Sequence, residues 1–356
     1  MNSTLHIDDF IKHSRVYPVI DVRSPGEYNA GHMPFAENIP LFSDEERARV
    51  GTAYKHNGRE RAIEIGHEIV DPKRTFLLSE VEKLIKAQKK TDTDGPTVLI
   101  HCWRGGMRSE RFANFLSEHG YRTHTLTQGY KSYRHWVLER FSGALDMVLL
   151  GGETGSGKTE ILKKIEEKGE LVVDLEGLAH HKGSAFGSLG ERPQPSQEQF
   201  ENNLAEELLR VSNKGKMVWF EDEARTIGIC HLPNPFWDKM KAAPIVRVNL
   251  PKEKRIARLV NDYGNFSQED LGRCILKIQK RLGPQHAKRA LEELEIGNLK
   301  AVADISLTYY DKAYNYNHEL RNFKDVFMVE CTSSDASENA VKVLECANKN
   351  NAKRNV

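Results

Sequence analysis

Short apolar runs alternate along this chain with longer segments whose apolar positions recur at helical spacing. In the first part of the chain, the runs at 16–23, 97–101 and 123–126 predict strands. The run at 97–101 shows no polar alternation until its end, which is typical of a strand buried in a parallel sheet. Helices are predicted to begin at Ser24 and to cover 44–70, 109–120 and 129–141. The helix over 44–70 is expected to break near Gly51 and again near Asn57 and Gly58.

The same alternation starts again after a small polar stretch around Ser142 and Gly143. Helical segments there separate five predicted strands, at 147–150, 171–175, 217–221, 245–250 and 326–331. A chain of 356 residues is also long enough for two hydrophobic cores. We therefore predict an α/β protein of two domains, 1–141 and 142–356, each with a parallel sheet and flanking helices.

Composition narrows the class of protein without identifying it. The chain is 39% hydrophobic and 29% charged, as expected of a globular protein. Its first residues, MNSTLHIDDF, lack the pattern of a secretory signal, and no run approaches the ~18 apolar residues of a membrane span. The five cysteines show no CxxC pairing, so neither a zinc site nor a disulfide framework is expected, and the predicted location is the cytoplasm. With a net charge of only +1, a nucleic acid would have to be bound by a local basic face.

The strongest motif in the second domain is GETGSGKT at 152–159, which matches the phosphate-binding pattern GxxxxGK[ST]. An apolar strand precedes it and a helix-compatible run follows, which is the context this motif requires. The glycines let backbone N–H groups surround a phosphate, Lys158 supplies a positive charge, and Thr159 is placed to bind Mg²⁺. The alternative is a glycine-rich turn without a ligand. The motif does not decide whether the ligand is a nucleotide or another diphosphate.

Further polar residues follow the neighbouring strands of the second domain. Glu221, Asp222 and Glu223 lie at the end of one strand, where an acidic group can orient water or a metal. Arg255 and Arg258 follow the next strand, one helical turn apart. Solvated surface positions are the alternative for both groups. The full set of candidate diphosphate-binding residues is Gly152, Gly155, Ser156, Gly157, Lys158, Thr159, Glu221, Asp222, Arg255 and Arg258.

In the first domain, the chemistry centres on Cys102 in the segment IHCWRGGMRSERF at 100–112. The cysteine lies between a predicted strand and a predicted helix, with Arg104 and Arg108 nearby. Backbone N–H groups, the helix dipole and the arginines would each lower the thiol pKa and favour a nucleophilic thiolate. Read alone, the segment fits either a cysteine phosphatase or a sulfur- or selenium-carrying transferase. A buried structural cysteine is a third reading, which the polar residues after Cys102 disfavour.

Several stretches of the first domain resemble the rhodanese pattern DVRxPxEF…GHIPGAxNIP. These are DVRSPGEY at 21–28, GHMP at 31–34 and NIP at 38–40. The resemblance implies a rhodanese-like parallel-sheet domain whose catalytic loop carries sulfur or selenium on Cys102. The loop from Cys102 to Arg108 is one residue longer than the usual rhodanese loop, a length typical of phosphatases of this fold. The phosphatase reading therefore stays open at this point.

The pairing of this domain with a P-loop NTPase-like three-layer α/β/α domain resembles bacterial tRNA 2-selenouridine synthases. Supporting stretches are GYK at 129–131, DLEGLAHHKGSAFG at 174–187, EDEARTIG at 221–228 and KRLG at 280–283. The resemblance implies a transferase that attaches a geranyl group from geranyl diphosphate to the sulfur of wobble 2-thiouridine in tRNA. The S-geranyl group is then replaced by selenium from selenophosphate. It further implies no prosthetic group and no membrane partner, with Mg²⁺ as an optional ion.

Under this resemblance, the loop would bind selenophosphate through Cys102, Arg104 and Arg108. The P-loop would bind the diphosphate of geranyl diphosphate. The additional residue of the loop would make room for selenophosphate, because this anion is tetrahedral. Candidate tRNA contacts in the second domain are His180, His181, Lys182, Lys280 and Arg281. Trp103, Phe186 and Tyr130 are candidates for stacking on the wobble base. Three alternatives remain: a rhodanese-fold phosphatase fused to a P-loop domain, an ATP-dependent kinase or sulfurtransferase, and a tRNA-binding protein without catalysis.

Overall fold

The computed structural model describes residues 2–87, 95–212, 214–321 and 325–354. Clustering of the chain gives two compact units. The first unit comprises Met1–Arg140 with Glu201–Glu206, and the second comprises Phe141–Phe200 with Glu207–Val356. In the described ranges, no helix is both long enough and apolar enough to cross a membrane.

The first unit is built on a five-stranded sheet in the order β1-β5-β4-β2-β3, and every pair of neighbouring strands is parallel. All five residues of the fourth strand are buried, as its continuous apolar run predicts. The strands are β1 (Asn2–Leu5), β2 (Val19–Asp21), β3 (Ala36–Asn38), β4 (Thr97–His101) and β5 (Arg122–Leu126).

Six α-helices accompany this sheet: α1 (Ile7–Ser14), α2 (Pro25–Ala30), α3 (Asp44–Val70), α4 (Arg74–Ala87), α5 (Met107–Glu118) and α6 (Gly129–Arg140). The break expected in α3 near Gly58 is confirmed, since Gly58 has φ 87° and ψ −179°. The break expected near Gly51 is wrong. Val50 packs on the core and Ala53 is buried, and this burial outweighs the roughly 1 kcal/mol by which glycine disfavours a helix.

The second unit contains another parallel five-stranded sheet, in the order β12-β11-β6-β8-β7, and a separate antiparallel pair, β9 with β10. The strands are β6 (Met147–Gly152), β7 (Leu171–Val173), β8 (Val218–Glu221), β9 (Thr226–Ile227), β10 (Cys230–His231), β11 (Ile245–Asn249) and β12 (Val326–Glu330). Because β6 lies between β8 and β11, the loops after these three strands meet at one edge of the sheet, where α/β folds bind their ligands.

The helices of the second unit are α7 (Lys158–Glu167), α8 (Leu175–Ala179), α9 (Gln197–Ser212), α10 (Asn234–Ala242), α11 (Lys252–Tyr263), α12 (Gln268–Leu282), α13 (Pro284–Glu295), α14 (Leu299–Arg321) and α15 (Ala336–Arg354), except that Glu201–Glu206 of α9 belong to the first unit. Among the described residues, one hydrophobic cluster joins the sheet to α7 and α15, and another is formed mainly by α12, α13 and α14. Parallel sheets with flanking helices in both units confirm the predicted α/β class.

Candidate functional site

The predicted phosphate-binding loop connects β6 to α7 in the second unit. Gly157 has a left-handed backbone with φ 83°, and a Cβ atom there would lie 2.8 Å from the Arg258 guanidinium. The Ser156 N–H donates to the Glu153 carbonyl at 3.1 Å and closes the turn. A strand–loop–helix connection of this kind directs backbone N–H groups and the positive end of a helix dipole toward a bound anion.

The two arginines after β11 occupy different places around this loop. Arg255 is buried, and its guanidinium donates to both Asp311 carboxylate oxygens at 2.8 and 2.9 Å and to the Thr154 carbonyl at 3.2 Å. It also lies 2.9 Å from a Glu153 carboxylate oxygen. Arg255 therefore braces the loop, whereas Arg258 lines the open space beside Gly157 and donates to a Glu160 carboxylate oxygen at 3.1 Å and to the Ser334 carbonyl at 2.8 Å.

Lys158 and Thr159 begin α7 and face acidic side chains. The Lys158 Nζ atom donates to the Gly152 carbonyl at 3.1 Å and lies 3.6 Å from a Glu221 carboxylate oxygen. Burial alone would lower the pKa of Lys158, but the carboxylates around it raise that pKa above its usual value. The Thr159 hydroxyl donates to Glu176 at 3.2 Å. The surrounding carboxylates therefore favour the charged form of Lys158 in spite of its burial.

Three buried carboxylates meet in front of these two residues. Glu176 lies on α8, Glu221 ends β8 and Glu223 follows it, and one oxygen from each lies within 4.8 Å of the others. Burial, together with repulsion among the carboxylates, raises the pKa of each to about 8, against the attraction of Lys158. One ammonium group does not balance three carboxylates in a buried space, so the cluster favours an additional cation or protons.

These residues fit a divalent cation of the Mg²⁺ type. Carboxylate and hydroxyl oxygens are the donors that Mg²⁺ prefers, and a divalent cation here would replace the protons that the raised pKa values keep on the cluster. Glu176, Glu221, Glu223 and Thr159 are the residues that would hold it. Asp222, between the two strand-end glutamates, is instead linked to the loop: it accepts from the Tyr314 hydroxyl at 3.2 Å, and that hydroxyl accepts from the Gly152 N–H at 2.9 Å.

A cleft of about 1470 Å³, here called the phosphate cleft, opens beside the loop. This volume exceeds the roughly 300–1,000 Å³ of ordinary small-molecule sites. Four of the five predicted tRNA contacts line it, namely His181, Lys182, Lys280 and Arg281. His180 does not join them: its ring bonds the Pro193 carbonyl at 2.8 Å and Arg192 at 3.0 Å, and among the described residues it contributes nothing to the cleft wall.

The Cys102 loop of the first unit runs from β4 into α5 and is pressed against the turn between β5 and α6. The Tyr130 N–H donates to the Cys102 carbonyl at 2.8 Å, and the Lys131 N–H donates to the Trp103 carbonyl at 3.0 Å. Gly105 has φ 58°, and a Cβ atom there would lie 2.4 Å from the Leu126 carbonyl oxygen. The loop conformation is therefore determined by this turn as well as by its own residues.

The Cys102 thiol is buried, with an exposed fraction of 3%, but it has polar partners. Burial alone would raise its pKa, whereas the Ser109 hydroxyl at 3.3 Å, the Gly106 N–H at 3.5 Å and the charge of Arg108 lower it, and the net direction is down. Arg108 acts from a distance, because its guanidinium is bonded to Glu27 at 2.7 Å. The site therefore stabilises a thiolate.

Arg104 and Trp103 are the exposed side chains of this loop. Across the described residues, Arg104 has no acidic partner, so its guanidinium is available for an oxyanion. Trp103 is 37% exposed and remains a candidate for base stacking. Tyr130 is wrong as a stacking candidate, because it is fully buried with the Arg23 guanidinium 3.8 Å from its ring centre.

Comparisons with known proteins cover nearly the whole chain. Residues 7–135 match the model of the rhodanese-like domain, and residues 145–344 match that of the tRNA 2-selenouridine synthase AAA domain. A tRNA 2-selenouridine synthase of Sulfurovum sp. (strain NBC37-1) is 35% identical over 334 residues, covering 85% of this chain and 89% of that protein. The one of Serratia proteamaculans (strain 568) is 35% identical over 363 residues, covering 92% and 95%. This chain belongs to the tRNA 2-selenouridine synthase family.

Membership of the tRNA 2-selenouridine synthase family confirms the predicted order of domains, rhodanese-like and then P-loop. The structure brings together Lys158, Thr159, Glu221 and Arg258 at the phosphate loop of this family member. It adds Glu176, which sequence reasoning missed as a site residue. The only signal for Glu176 was its place in the stretch 174–187 that resembles the family, because no strand-end pattern marks it.

Proposed function

We propose that this protein converts 2-thiouridine at the wobble position of tRNA into 2-selenouridine through an S-geranyl intermediate. The observation that carries the proposal is the phosphate loop, in which Lys158 and Thr159 begin a helix beside a large cleft lined by basic residues. The relatives named tRNA 2-selenouridine synthase, which match along most of the chain, support the choice of tRNA as substrate.

In the first step, the phosphate loop binds the diphosphate of geranyl diphosphate. The sulfur of 2-thiouridine forms a bond to the allylic C1 carbon, the C1–O bond breaks, and its electron pair leaves with diphosphate. The N3–H proton of the base is released, which leaves a neutral S-geranyl nucleoside. Lys158 and Arg258 stabilise the negative charge that grows on the leaving group. Mg²⁺ bound by Thr159 and the three glutamates would add positive charge at the same place.

In the second step, selenium replaces the S-geranyl group. Selenophosphate and water give phosphate and a selenide nucleophile, which adds at C2 of the base and expels geranylthiolate. Geranylthiolate is a better leaving group than the sulfur of unmodified thiouridine. Geranylation in the first step therefore makes the displacement in the second step possible. Cys102, whose sulfur accepts from the Gly106 N–H in a loop that leaves the Arg104 guanidinium open to an oxyanion, would bind and react with selenophosphate. The extra residue of the loop makes room for this tetrahedral anion.

The tRNA would be bound by the basic wall of the phosphate cleft. Lys277 and Lys280 on α12 have no acidic partner within the described ranges, and both line the cleft. Arg281 contacts the Tyr309 hydroxyl at 3.4 Å on the same wall. Such contacts bind phosphates irrespective of base sequence, so affinity would fall as salt rises.

Two variants separate the roles of the two loops. Lys158→Ala should reduce geranylation by about 10²–10³-fold, because one charge that stabilises the leaving group is lost. Cys102→Ala should abolish selenation and leave geranylation intact. Nucleosides from treated tRNA, separated and weighed by mass spectrometry, give both readouts.

Lys168→Ala and Cys274→Ala are the matched controls, since Lys168 is exposed at the end of α7 and Cys274 lies in another core. Intact geranylation by Lys158→Ala would refute the use of the phosphate loop, and intact selenation by Cys102→Ala would refute the role of the cysteine. ATP turnover that depends on Lys158, without geranyl transfer, would favour the ATP-dependent alternative.

A further inference from the structure

An open space of about 530 Å³, here called the apolar groove, lies between α3, α4 and α5 in the first unit. This volume falls within the roughly 300–1,000 Å³ of small-molecule sites. The proposed function leaves the apolar groove without a role, because the selenophosphate assigned to the Cys102 loop has no apolar part that would fill it.

The wall of the apolar groove is mostly aliphatic and aromatic. Val50 and Ile63 of α3 and Leu77 of α4 line it, together with Phe112 and Phe115 of α5. Among the described residues of the lining, no buried side-chain nitrogen or oxygen lacks a hydrogen-bond partner. A hydrocarbon chain needs no hydrogen bond in such a space, whereas a nucleobase would lose its bonds to water without replacement.

The apolar groove adjoins the Cys102 loop. Met107 and Arg108, at the point where this loop enters α5, belong to the groove lining. The Cys102 side chain itself packs in the same hydrophobic cluster as Leu77 and Phe112 of the groove wall. A nucleoside whose C2 atom lies at the Cys102 loop can therefore extend a substituent on C2 past Met107 and Arg108 into the groove.

Arginines add positive charge to this apolar surface. Of the described residues in the lining, four are arginines: Arg47, Arg74, Arg108 and Arg111. Glu27 pairs with Arg108 at 2.7 Å and with Arg47 at 3.6 Å. Asp71 pairs with Arg74 at 2.9 Å. Four guanidinium groups around two carboxylates favour an occupant that joins an apolar part to anionic groups, as an S-geranyl nucleotide within an RNA strand does.

We propose that the apolar groove binds the S-geranyl chain of the modified tRNA nucleoside during selenation, with C2 of the base at the Cys102 loop. The inference rests on the proposed function, since it assigns a binding site to the intermediate of that reaction. Selenide adds at C2, the C2–S bond breaks, and its electron pair leaves with geranylthiolate, which takes up a proton from water. The groove thereby selects the geranylated nucleoside over nucleosides with shorter S-alkyl groups.

A shorter S-alkyl group tests this selection without altering the protein. Anticodon stem–loop RNAs that carry S-geranyl-2-thiouridine or S-methyl-2-thiouridine are prepared chemically, so the geranylation step is bypassed. Both RNAs present a thiolate leaving group on the same carbon and differ in the chain. With selenophosphate, kcat/KM for formation of 2-selenouridine should be about 100-fold higher for the geranyl RNA, because each methylene removed from water contributes roughly a factor of four.

Filling the apolar groove should weaken this preference. Gly51 lies on α3 in the groove lining, and within 4 Å a Cβ atom there would meet only the end of the flexible Arg47 side chain, at 2.8 Å. Gly51→Leu should lower the ratio of kcat/KM for the geranyl RNA over the methyl RNA by about 10-fold. Movement of Arg47 affects both RNAs alike and cancels in the ratio. Ala48→Leu, exposed on the same helix and outside the lining, is the control.

The geranylation step separates the possible occupants of the apolar groove. The KM for geranyl diphosphate should be the same in Gly51→Leu and the wild-type protein. A rise in that KM with an unchanged ratio for the two RNAs would overturn the inference and assign the groove to geranyl diphosphate. Equal kcat/KM for the two RNAs in the wild-type protein would overturn this inference alone. If the wild-type protein converts neither RNA to 2-selenouridine, the proposed function falls and this inference with it.

Discussion

At the scale of single residues, the chemistry depends on one thiol whose surroundings differ from those of the other cysteines. Ser109, Gly106 and Arg108 lower the pKa of Cys102 in spite of its burial. Burial raises the pKa of the other four: to about 11 for Cys230, and above the usual value for Cys274, Cys331 and Cys346. One cysteine of the five is therefore poised to ionise first.

Removing the Ser109 hydroxyl should bring the pKa of Cys102 closer to those of the other four cysteines. A lowered pKa means that Cys102 becomes a thiolate at lower pH than the other thiols, so its alkylation by iodoacetamide should reach half-maximal rate at lower pH than theirs. In Ser109→Ala this midpoint should move to higher pH, since a hydrogen bond to the charged form is lost. Peptide mass spectrometry measures all five cysteines in one sample. A Cys102 midpoint equal to that of Cys274 would contradict the assignment.

Some residue roles could be predicted from the sequence and others could not. Lys158, Thr159 and Cys102 lie in short motifs whose chemistry is local, and the structure places them at the start of α7 and directly after β4, where the motifs predict them. Arg255 illustrates the opposite case. Its partner Asp311 is 56 residues away on α14, and no pattern along the chain foretells that pairing.

At the scale of elements, the Cys102 loop depends on close packing against the turn between β5 and α6. Gly105→Ala should lower the free energy of unfolding by about 2 kcal/mol or more, because its left-handed backbone and its approach to the Leu126 carbonyl both exclude a Cβ atom. Gly106→Ala is a matched control, since its φ is −135° and a Cβ atom there would meet nothing within 4 Å. Urea unfolding measures both. If Gly105→Ala and Gly106→Ala have the same free energy of unfolding, the close approach of Gly105 to the Leu126 carbonyl does not contribute to stability.

The elements predicted best are those with buried faces. The strands β4 and β6 are buried at every residue and their apolar runs predict them directly. The first strand, Asn2–Leu5, was not predicted, because an exposed edge strand with polar side chains has no such run and owes its conformation to pairing with β5. The break expected near Gly51 was also wrong for a tertiary reason, because burial of the neighbouring residues overrides the local preference of glycine against a helix.

At the scale of the whole molecule, a net charge of +1 conceals an uneven distribution. Buried carboxylates gather at Glu176, Glu221 and Glu223, whereas Lys277 and Lys280 present their charges on the wall of the phosphate cleft. The three carboxylates suit a bound cation, and the two lysines suit a phosphate backbone that approaches from solvent. Composition alone could not reveal this division, since the opposite charges cancel in the sum.

The central claim is that geranylation by the P-loop domain precedes and permits selenation. The most direct measurement is mass spectrometry of nucleosides from 2-thiouridine-containing tRNA incubated with the protein and geranyl diphosphate, selenophosphate or both. Geranyl diphosphate alone should give S-geranyl-2-thiouridine, selenophosphate alone should leave 2-thiouridine unchanged, and the two together should give 2-selenouridine. Formation of 2-selenouridine from selenophosphate alone, or no geranylated nucleoside under any condition, would contradict the account.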